Sequence, residues 1–82
     1  MTKKDLEEIL ICKQIIAANE QRLDKICKRA IEISTTPKID ILNNLQGYVD
    51  EIEELRKEQT ALNRAIRTAK IEISKLEASS AA

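Results

Sequence analysis

The chain has 82 residues, enough for one small domain and a modest core. Basic and acidic residues balance at 14 each, and charged residues make up 34% of the chain; one aromatic, one glycine and one proline leave little for strands or tight turns. The absence of histidine excludes His-based acid–base catalysis and His metal ligation, and the missing basic surplus argues against binding nucleic acid by phosphate neutralisation.

Thr2 and Asp5 form a Thr-x-x-Asp capping box, so a first helix is expected to start near Lys3. Its apolar seam sets Ile9, Ile16, Leu23 and Ala30 at heptad position a, and Cys12, Asn19, Ile26 and Ile33 at d. It should end near Ser34, because Pro37 disfavours helical geometry at Thr36. Thr36 as N-cap, Pro37 as first residue and Asp40 in the first turn then restart the chain. The second seam sets Leu45, Ile52, Gln59, Ile66 and Ile73 at a, and Tyr48, Leu55, Leu62, Ala69 and Leu76 at d. Gly47 weakens this helix by about 1 kcal/mol relative to Ala, but the seam keeps its phase through it. An unbroken helix over about residues 37–77 is therefore expected, with residues 79–82 a frayed tail.

Two amphipathic helices, 3–34 and 37–77, separated by a turn at 35–36 predict an all-α antiparallel hairpin spanning residues 1–78, crossing at about 20°. Matching like positions across the turn sets Ala30 by Leu45, Ile26 by Tyr48, Leu23 by Ile52 and Ile9 by Ile66. Asn19 and Gln59 are the polar members of the two seams, and in that register they lie one layer apart. Buried amides there would lock the register.

The first helix carries more apolar surface than one partner can cover. Leu6, Leu10, Ile11, Ile15 and Ala18 widen its stripe, and Leu10, Ile11, Ile15 and Ala18 are the expected interaction face. Such a surplus implies a homodimer closing a four-helix bundle, or another protein docked on the stripe.

Asp50, Glu51, Glu53, Glu54 and Glu58 read as a solvated acidic face, and Glu51 is expected to tolerate alanine. Lys25, Lys28 and Arg29 near the turn, and Arg64 and Arg67 on the second helix, are the candidate phosphate contacts. No aromatic residue accompanies them for base stacking, so they too read first as solvated surface. Cys12 and Cys27, about 22 Å apart along one helix, cannot bond each other and read as small apolar residues. No apolar run reaches the roughly 20 residues of a membrane span, and the acidic N-terminus is unlike a secretory signal. A cytoplasmic, non-enzymatic protein without cofactor, metal or small-molecule substrate is expected.

Laid out this way, the chain resembles a family of small helical proteins encoded by phages and prophages of low-GC Gram-positive bacteria, related to the N-terminal region of ArpU-like late-transcription regulators. The resemblance runs through Leu6, Ile9, Ile16, Leu23, Ile26, Ala30, Ile33 and Ser34, then Ile52, Leu55, Glu58, Ile66, Lys70, Glu72 and Ile73. The linker after Ser34 lacks the family's Gly-rich stretch, Gln59 replaces an apolar residue, and no DNA-reading domain follows Leu76 within these residues. The resemblance implies a phage-type interaction protein, acting as a regulator or inhibitor of a host or phage machine, with no catalytic residues to carry over. A type III secretion-like hairpin chaperone and a nucleic-acid accessory protein are the alternative expectations.

Overall fold

A computed structural model describes residues 2–81, and every element in it is an α-helix: α1 (Lys3–Thr35), α2 (Lys38–Asn43) and α3 (Leu45–Ala81). At 1.5 Å per residue α1 and α3 are about 50 and 55 Å long, yet the molecule measures 61 × 15 × 15 Å. The two long helices therefore lie alongside one another. They run in opposite directions, because Arg22 and Arg29 of α1 pair with Glu58 and Glu51 of α3 in reversed order.

The start of α1 is as the sequence predicts: the Asp5 amide donates to Thr2 Oγ1 at 3.2 Å, and the Thr2 amide donates to Asp5 Oδ2. The turn differs in detail. Pro37 is extended and stands before the first residue of α2, Lys38, rather than inside the helix. Thr36 does not cap α2. Its hydroxyl donates back to the Glu32 carbonyl at 2.8 Å, as the Ser34 and Thr35 hydroxyls donate to Ile31. These hydroxyls fold back onto the last turn of α1, at Ile31 and Glu32, which is where Ser and Thr compete best with further helix.

The second expected helix is divided at Asn44, which leaves helical geometry at φ −139° and ψ 46°. Its amide closes α2 on Ile41, and its carbonyl accepts from Tyr48 to open α3. The break thus lies before Gly47, and Gly47 itself is helical. A Cβ at Gly47 would stand 2.7 Å from Asn44 Oδ1, so the glycine leaves room for the amide that folds over the first turn of α3. Replacing both residues by alanine exchanges two weak helix formers for the strongest one. The double variant is expected to fuse α2 and α3 and raise stability by about 1 kcal/mol, read as greater ellipticity at 222 nm and a higher urea midpoint. At the other end, α3 continues through Ala81, so residues 79–81 of the expected frayed tail are helical and Ala82 lies outside the described residues. Alanine, the strongest helix former, suits that extension.

Ile9, Ile26, Ile33, Ile66 and Ala69 are buried, and all are seam residues. Cys12, Ile16, Asn19 and Leu23 of α1 are half-buried, as are Tyr48, Leu55, Leu62, Ile73 and Leu76 of α3; Ala30 is exposed. The first half of α3 departs from the expected seam, because Leu45, Ile52 and Gln59 at position a are exposed while Glu51 and Glu58 at position g are half-buried. The two arginines draw these glutamates toward α1, which swings the a positions to the other flank. There they open a groove lined by residues including Ile26, Ile33, Ile41, Ile52 and Gln59.

Candidate interaction surface

Two charged forks cross between the helices and mark their register. Arg29 donates through Nε and Nη2 to the two Glu51 oxygens at 2.7 and 2.9 Å, and through Nη1 to Glu32 at 3.0 Å. One heptad earlier in α1 and one later in α3, Arg22 donates through Nε and Nη2 to Glu58. Guanidinium and carboxylate planes match in such bidentate pairs, which gives them positional specificity beyond attraction of opposite charges. All four residues occupy g positions, so the a layer of one helix faces the d layer of the other. At this offset Leu23 comes level with Leu55, Ile16 with Leu62 and Ile9 with Ala69, while Ile52, level with Ile26, stands on the exposed flank.

This corrects the expected register, in which like positions faced each other, by about one helical turn. Glu51, read from the sequence as part of a solvated face, accepts two hydrogen bonds from Arg29 across the helix pair. Asn19 and Gln59 now share a layer, but Gln59 is exposed and no hydrogen bond joins the two amides among the described residues. The side-chain hydrogen bonds that cross between α1 and α3 come from the arginine–glutamate forks.

The hydrogen bonds from Arg29 hold the Glu51 carboxyl below the ordinary carboxylate range, and those from Arg22 do the same for Glu58. A carboxylate with a lowered folded pKa contributes stability that is complete above its unfolded value and is lost as pH falls through its folded value. The melting temperature should therefore lose the forks' contribution below about pH 4. A Glu51→Gln, Glu58→Gln variant measured alongside should lack that part of the acid transition.

The candidate phosphate contacts are not gathered into one site. Arg29 is held in its fork, and Lys28 pairs with Asp24 at 3.0 Å. Lys25 is exposed on α1, while Arg64 and Arg67 line separate shallow grooves, Arg64 with Ile15 and Ala61, Arg67 with Ser74 and Lys75. Cys27 is exposed and Cys12 half-buried, both as free thiols. Among the described residues no carboxylate and thiol cluster could hold a metal ion, and no helix is long and apolar enough to cross a membrane.

The expected interaction face is open. Leu10 and Ile11 are 57% and 54% exposed, Ile15 is 43% exposed, and Ala18 is exposed as well. Ile15 leans toward α3, where it and Cys12 share a groove with Ala61, Ala65 and Thr68. Leu10, Ile11 and Ala18 lie on the side of α1 turned away from α3. Between Leu10 and Gln21 only Lys13 and Glu20 are charged, and both fall on the same edge of the helix. The chain matches no protein-family model, no curated protein and no solved structure. The surface itself therefore carries the functional argument.

Proposed function

We propose that this chain is a non-enzymatic protein–protein interaction module. In this reading it is an antiparallel helical hairpin with a coiled-coil seam, acting in the bacterial cytoplasm as a phage-type regulator or inhibitor of a host or phage machine. The observation that carries the proposal is the exposure of Leu10 and Ile11 within an almost uncharged stretch of α1. Isolated apolar side chains are ordinary on a protein surface, but a contiguous uncharged helix face beside a thin core is the form of a docking surface. The four-helix assembly expected from composition belongs to the same reading, since either a second copy or a different protein would cover the stripe.

The test is affinity purification from the native host, comparing the wild type with an Ile11→Glu, Ile15→Glu variant of unchanged helicity. A protein recovered with the wild type, and shown with purified components to bind it and not the variant, supports the proposal. Equal binding to both would remove the α1 face as the site.

A further inference from the structure

We infer that the partner of the α1 face is a second copy of this chain, bound antiparallel through α1 about a twofold axis near Ile16. This rests on the interaction-module reading above and specifies its partner. On the side of α1 away from α3, Glu7, Ile11, Gln14, Ala18, Gln21 and Lys25 follow one another in alternating steps of four and three, a second heptad row. At about 100° per residue this row lies nearly opposite the seam that packs on α3. All six side chains are exposed. The interior of the row carries no charge, and Glu7 and Lys25 flank it with opposite charges; beyond them the same spacing reaches Lys4 and Lys28, the latter paired with Asp24. Among the described residues, neither Glu7 nor Lys25 enters an ion pair within the chain.

The row is symmetric in spacing about Ile16. When two α1 helices meet antiparallel at that centre, Glu7 of each copy reaches Lys25 of the other. Ile11 then packs beside Gln21, and Gln14 beside Ala18, whose small side chain permits close approach of the two backbones. Leu10 and Ala17 cover one flank of the contact. A parallel pair would instead set Glu7 on Glu7 and Lys25 on Lys25, repulsive at both ends. Charge complementarity that repeats under a twofold rotation selects a second copy of the same chain as the occupant. The two α1 helices form the centre of the assembly, and the α3 helices lie outside them.

Sedimentation of the full chain at low ionic strength tests the arrangement. The wild type should associate to a dimer at tens of micromolar. Glu7→Lys and Lys25→Glu should each weaken the dimer by about tenfold or more, because each reverses two contacts at once. An equimolar mixture of the two single variants should dimerise again, since one chain then presents lysine at both ends and the other glutamate. A wild type that stays monomeric, single variants that dimerise like wild type, or a mixture that stays monomeric would each overturn the inference. Far-ultraviolet circular dichroism of every variant confirms that the helices are intact. If the wild type is monomeric but the Ile11→Glu, Ile15→Glu variant still loses a captured protein, the second copy is excluded and the interaction-module reading survives.

Discussion

Replacing Ile66 by alanine is expected to destabilise the chain by about 2–5 kcal/mol, a large share of the stability available to so small a core. Ile66 is 8% exposed and sits among the buried residues of the α1–α3 seam. Truncation removes its transfer free energy and leaves a void that two nearly straight helices cannot collapse around. Arg56, exposed on the same helix, should tolerate alanine within about 0.5 kcal/mol. Urea denaturation of both variants checks the pair, and similar losses in the two would place the seam elsewhere on α3.

Ala69→Leu should also be costly, by about 1–3 kcal/mol, despite adding apolar surface. Ala69 is 6% exposed, and the register imposed by the forks sets it opposite Ile9, which is itself buried. A small residue facing a large one lets the helices approach there, and a leucine would force them apart near the α1 N-terminus. Ala78→Leu, at an exposed position later on the same helix, supplies the control and should be close to neutral. A stabilising Ala69→Leu would mean that the helices diverge before this layer.

The helical elements were legible because their signals are local. The Thr2–Asp5 box, the restriction that Pro37 imposes on Thr36, and the recurrence of Ile and Leu every three or four residues each act within a turn or two. The division at Asn44 was less legible. Helix periodicity continues through it, and a single residue leaving helical geometry does not disturb the seam signal around it.

The register was misread for a specific reason. Two continuous seams match at several offsets, and apolar layers alone barely distinguish them. Arg22 and Arg29 lie one heptad apart at g, as do Glu51 and Glu58. Two positive and two negative g residues converge in an antiparallel pair only when a layers face d layers. That signal was present in the sequence, but the glutamates read as part of a solvated acidic run and Arg29 as a phosphate contact. The exposure of Leu10, Ile11, Ile15 and Ala18, by contrast, follows from an apolar surplus wider than one partner helix covers.

The arginine–glutamate register is tested most directly by charge exchange, read as urea midpoints at low ionic strength. Arg22→Glu with Arg29→Glu, and separately Glu51→Arg with Glu58→Arg, should each lower the midpoint by setting like charges face to face. Combining all four changes restores opposite charges at both forks and should return the midpoint close to that of the wild type. A fourfold variant no more stable than the less stable of the two double variants would show that these residues do not face each other, and would contradict the register.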